Sequence, residues 1–153
     1  MTNDQSCCKT AHCSLPDVQS EAVQAPRSAV TAGIDGLKVR LLLADGRNVL
    51  ASARLVAHVP LGHRGVHMSR LARVFSPDGS PVPLDASLPE RVLQLAATQE
   101  SDRVVVRLCW EDTVLREAPA SGSVGLQPYR AELSAHWTPG SLQWNTRVQT
   151  VRQ

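Results

Sequence analysis

The chain has 153 residues, enough for one domain or one domain with a tail. Hydrophobic residues make up 42% and charged residues 20%, which excludes a wholly disordered chain. With 16 basic and 14 acidic residues the net charge is +2, which speaks against a dedicated nucleic-acid or membrane-surface binder.

Residues 1–32 read as a disordered or arm-like tail, polar and interrupted by Pro16 and Pro26. Met1 to Cys13 has no apolar secretory core, and no apolar run is long enough to span a bilayer. A cytoplasmic location with reduced thiols is the expectation. Cys7, Cys8, His12 and Cys13 form a cluster of soft ligands suited to zinc or copper. Their spacing fits neither usual paired-ligand pattern, and a flexible tail with reactive thiols stands as the alternative.

From Gly33 onward the pattern predicts a folded module, residues 33–153. Leu37 to Ala44 is a β-like run closed by Asp45-Gly46, a hairpin signal. The return strand alternates Val49, Ala51, Ala53, Leu55, Ala57 and Val59 on one face against Ser52, Arg54 and His58 on the other. After Pro60 and the loop from Leu61 to Gly65, a helix is expected over His67 to Ser76, with Met68, Leu71 and Phe75 inward. Pro77-Asp78-Gly79 ends it. A second helix, Leu88 to about Gln99, has Pro89 in its first turn and an apolar stripe of Leu88, Val92, Leu95 and Ala96. Three alternating strands follow, over 104–110, 130–137 and 142–149, the last two joined by a Pro139-Gly140 turn. Cys109 reads as a small core residue, and Glu111-Asp112 as a turn after the strand. The sum is α+β: an antiparallel sheet with two helices packed on one face, in the order ββααβββ. The other face is not uniformly polar, holding Leu42, Val56 and Val105. That predicts an oligomer.

The segment from Gly62 to Arg70 carries the most chemistry. It sets Arg64, His67, Ser69 and Arg70 where a loop enters a helix, and helix starts favour anions. Arg64 and Arg70 suit a clamp on phosphate oxygens, with Ser69 adding a donor. A capped, solvated helix start is the simpler reading of the same pattern.

Four segments occur in order: Leu15 to Gln19, Val30 to Leu37, Arg64 to Arg70, and Ala118 to Tyr129. Together they resemble the amino-terminal half of the type IB, metal-dependent GTP cyclohydrolase I family. The resemblance covers roughly residues 15 to 151 and implies a single tunnelling-fold module. It implies conversion of GTP to dihydroneopterin triphosphate and formate, the entry to tetrahydrofolate and other pterins. A divalent metal, zinc or manganese, would activate water for attack on the purine ring. It carries Arg64, His67, Ser69 and Arg70 over as contacts for the triphosphate end. The family's Cys-Pro-Cys-Ser-Lys motif and its other metal ligands would follow the strand at 142–151, beyond Gln153. The expectation is therefore a chain incomplete for catalysis alone, working as a homo-oligomer or with a complementary half-chain. The alternatives are a non-catalytic nucleotide- or pterin-binding subunit of the same fold, or metal handling through the Cys/His cluster. Neither nucleic acid nor membrane is expected as a partner.

Overall fold

The computed structural model describes residues 30–151. The hairpin opens the fold. β1 (Val30–Leu42) runs out and β2 (Asn48–Val59) returns beside it, antiparallel. The Asp45-Gly46 turn is closed by the Leu43 N–H donating to the Arg47 carbonyl at 2.8 Å. β1 starts at Val30, ahead of the Gly33 start read from the sequence. The ladder slips between Ile34 and Leu37, where Gly36 takes φ +77° in a bulge.

β2 owes its length to its alternation. Val49, Ala51, Ala53, Leu55 and Ala57 are all buried, and the residues between them are exposed or half-buried. Two helices cover this inward face. α1 (Met68–Phe75) buries Leu71, Val74 and Phe75. Met68, expected in the core, is exposed. It occupies the first helical position, a turn ahead of Leu71, the first buried residue of the helix. A single 3₁₀ turn at Pro77–Gly79 leads to β3 (Val82–Pro83), which pairs parallel with β1 at Leu41 and Leu42. α2 (Leu88–Thr98) buries its whole expected stripe: Leu88, Val92, Leu95 and Ala96.

β4 (Val104–Glu117), β5 (Val124–Thr138) and β6 (Ser141–Thr150) complete a sheet of order β3-β1-β2-β4-β5-β6. All five long strands pair antiparallel; only the short β3 makes the sheet mixed. The α+β reading with both helices on one face holds. Glu111 and Asp112, read as a turn, are strand residues paired with Arg130 and Tyr129, and beyond them β4 and β5 run past the core as a two-stranded ribbon. The core lies between the inward sheet face and the helices, with Phe75, Leu41, Leu55, Leu71, Leu95 and Leu108 fully buried. On the uncovered face Leu42, Val56 and Val105 are half-buried.

Cys109 corrects another expectation. Strand parity puts it with Val105 and Arg107 on the uncovered face, half-buried rather than in the core. Its Sγ lies 3.7 Å from Glu132 Oε2. Burial, and then the Glu132 charge, push its thiol pKa up.

Candidate functional site

His67 has extended backbone geometry (φ −80°, ψ 92°) and is the N-cap of α1, yet it makes no side-chain cap bond. Something else fastens the loop here. The Gln99 carboxamide reaches across from the end of α2. The His67 N–H donates to Gln99 Oε1 at 2.7 Å, and Gln99 Nε2 donates to the His67 carbonyl at 3.3 Å. The same carbonyl accepts the first helical bond from the Leu71 N–H at 3.0 Å. Gln99 is only 4% exposed, so its amide has no water to fall back on. Only one orientation of the carboxamide satisfies both bonds; turned over, it would set donor against donor.

At the other end of α1, Arg91 Nη1 donates to the Val74 carbonyl at 2.9 Å. That carbonyl belongs to the last turn, where no intrahelical donor reaches it. Arg91 Nε is shielded and has no hydrogen-bond partner among the described residues.

Between the two helices lies a cleft of about 290 Å³ lined by Arg70, Arg73, Val74, Arg91, Gln94 and Thr98. Of the four residues expected to meet phosphate, only Arg70 lines it. Ser69 is exposed on the first turn of α1, Arg64 is exposed in the preceding loop, and His67 is half-buried at the N-cap. The structure adds one guanidinium, Arg91, and seats Arg73 beside Arg70 along the cleft. Arg73 stands three positions after Arg70, so its place on the same helical edge is readable from spacing. Arg91 and Gln99 come from α2, and no local pattern ties them to the loop.

The described residues include no group of three or more His, Cys, Asp or Glu side chains arranged to hold a metal ion. The metal implied by the family resemblance therefore does not fit residues 30–151. Cys7, Cys8, His12 and Cys13 lie outside the described residues. Among the described residues, no helix is long and apolar enough to cross a membrane.

The chain is 30% identical over 125 residues to a GTP cyclohydrolase FolE2 of Desulfovibrio desulfuricans, covering 78% of this chain and 47% of that protein. It is 24% identical over 138 residues to a GTP cyclohydrolase FolE2 of Fervidobacterium nodosum, covering 88% and 52%. A third such protein, from Nitratidesulfovibrio vulgaris, is 26% identical over 140 residues, again covering 88% and 52%. The chain thus spans about half the length of the curated relatives it matches. The family model described as type I GTP cyclohydrolase folE2 matches residues 15–152, nearly the whole sequence, and the chain belongs to that family.

Proposed function

We propose that this chain is the phosphate-binding module of a type IB GTP cyclohydrolase, taking GTP to dihydroneopterin triphosphate and formate. The observation that carries the reading is the α1–α2 cleft, where Arg70, Arg73 and Arg91 converge beside the loop-to-helix segment bearing Arg64, His67 and Ser69. Arg70 and Arg73 supply forked donors, the geometry that phosphate oxygens accept, and Arg91, held to the Val74 carbonyl, adds fixed positive charge. The cleft size supports the phosphate end in particular. Pockets that enclose a whole small-molecule ligand run to roughly 300–1,000 Å³, and this one sits at their lower edge.

In this reading the chain's work is binding and orientation. Arg70 and Arg73 hold the polyphosphate along α1, Arg64 and Ser69 add donors at the helix start, and His67 lies at the entry. The base and ribose then project out of the cleft toward groups outside residues 30–151. The ring-opening chemistry belongs there, in a cytoplasmic assembly, and not to the described residues. Cys7, Cys8, His12 and Cys13 stand as candidate metal ligands outside the described residues.

The test is calorimetric titration of the chain with GTP and with inorganic triphosphate. A charge-assisted hydrogen bond is worth about 1.5–3 kcal/mol, so Arg70→Ala and Arg73→Ala should each weaken binding by about 10- to 100-fold. Unchanged affinity in both variants would defeat the proposal.

A further inference from the structure

We propose that Gln99 is a positioning residue for the anion site, a cap for α1 supplied by the neighbouring helix. The inference rests on the proposed phosphate-binding reading and deepens it.

An ordinary N-cap Ser, Thr, Asp or Asn turns its own oxygen onto the N–H of the second or third helical residue. In α1 those are Ser69 and Arg70. Such a cap would steady the helix start by occupying donors that a bound anion uses. His67 makes no bond of this kind. The loop is held from outside instead, through the one N–H and one carbonyl of His67 that a cap leaves alone. The pin is bidentate, so it fixes the orientation of the His67 peptide as well as its position. That peptide sets the direction in which the chain bearing Arg64 enters the helix bearing Ser69 and Arg70.

The anchor is itself rigid. Gln99 ends α2, and the next two residues close that helix with paired bonds: the Glu100 N–H to the Ala97 carbonyl at 3.2 Å, and the Ser101 N–H to the Ala96 carbonyl at 3.0 Å. The Arg91 bond to Val74 pins the far end of α1 to the same helix. α2 thus holds α1 at both ends, and the arginine-lined cleft is the space between the two pins. Nothing in the side-chain chemistry of Gln99 needs to touch the ligand.

The experiment compares Gln99→Met, which keeps bulk and removes both bonds, with Val92→Ala, which weakens the same helix at a fully buried apolar site. Three readouts are taken on the full chain: melting temperature, amide hydrogen exchange across residues 61–70, and affinity for inorganic triphosphate. Gln99→Met should speed exchange at His67, whose N–H is held by Gln99, at least tenfold and weaken triphosphate binding about tenfold. Val92→Ala should lower the melting temperature yet leave affinity within twofold. Equal loss of affinity in the two variants, or none in Gln99→Met, would overturn the proposal and reduce Gln99 to a packing residue. If the unsubstituted chain takes up no triphosphate, the phosphate-binding reading fails, and exchange decides the positioning claim. Selective opening of residues 61–70 in Gln99→Met then supports it, and equal opening in both variants refutes it. Should Gln99→Met fail to fold, Gln99→Asn, one methylene too short to reach His67, is read in the same way.

Discussion

At Gly33 one hydrogen atom decides whether two strands can meet. A Cβ there would lie 2.0 Å from the Leu55 carbonyl oxygen and 2.8 Å from the Val56 Cα, both main-chain atoms of β2. Neither can swing aside, so Gly33→Ala has to part the strands where they begin to pair. The expected loss is about 2–4 kcal/mol by chemical denaturation, at the severe end for single substitutions. Gly125 on β5, whose added Cβ meets nothing within 4 Å, is the matched control, and Gly125→Ala should be close to neutral. Cys109 gives a second residue-scale expectation, with a definite sign in pH. Its folded pKa is raised, so folding favours the neutral thiol. The stability this group contributes is complete below the unfolded pKa and is lost as pH rises through the folded one. At about pH 8.5, where an ordinary thiol is half ionised, Cys109 should alkylate more slowly than an exposed cysteine. Glu132→Gln removes the second cause of the shift, lowers the pKa and should speed the reaction, while burial keeps it below the exposed rate. Site-resolved mass spectrometry after iodoacetamide treatment separates Cys109 from the other cysteines; an unchanged rate in Glu132→Gln would mean that the carboxylate does not govern the thiol.

Among the elements, α2 shows a sequence bearing a cost that a substitution can remove. Its closing motif puts Glu100 at φ +50°, a left-handed conformation that glycine normally supplies. Glu100→Gly should therefore raise stability by about 0.5–1 kcal/mol, read as an upward shift of the thermal midpoint. The lost 3.9 Å approach to His63 is solvent-exposed and subtracts little. Elements with a one-sided apolar pattern were legible from residues alone. β2 and α2 declare themselves because every inward position is apolar and every one of them is buried, apart from the half-buried Val59 at the strand end. The ribbon formed by the outer halves of β4 and β5 was not legible. It covers no core, and it holds together through main-chain pairing from Thr113 and Pro128 out to Glu117 and Val124, which leaves no periodic trace. The candidate site divides along the same line. The loop-to-helix block from Arg64 to Arg70 stands out by residue type and spacing. Arg91 and Gln99 act across a gap of tertiary structure, so only the fold brings them to it.

For the molecule as a whole, one apolar core joins the two layers, and the helices have no core of their own. Phe75 shows this best. It is fully buried at the end of α1, within the cluster that takes in Leu41, Leu55, Leu95 and Leu108, and so touches both helices' layer and the sheet's. Trp110 and Trp137 pack against the same cluster from the sheet side. A fold of this size with a shared core should unfold in one cooperative step. Tryptophan fluorescence, reporting the sheet, and far-ultraviolet dichroism near the helix minimum, reporting α1 and α2, should then give coincident denaturation curves. Phe75→Ala should shift both curves together by about 3–5 kcal/mol, the cost of emptying a fully buried aromatic site. If the helix signal instead fell first and left the fluorescence transition in place, the helical layer would be a separately melting lid. The two pins from α2 to α1 would then govern a local opening, and the cleft between the helices would form and dissolve without the sheet.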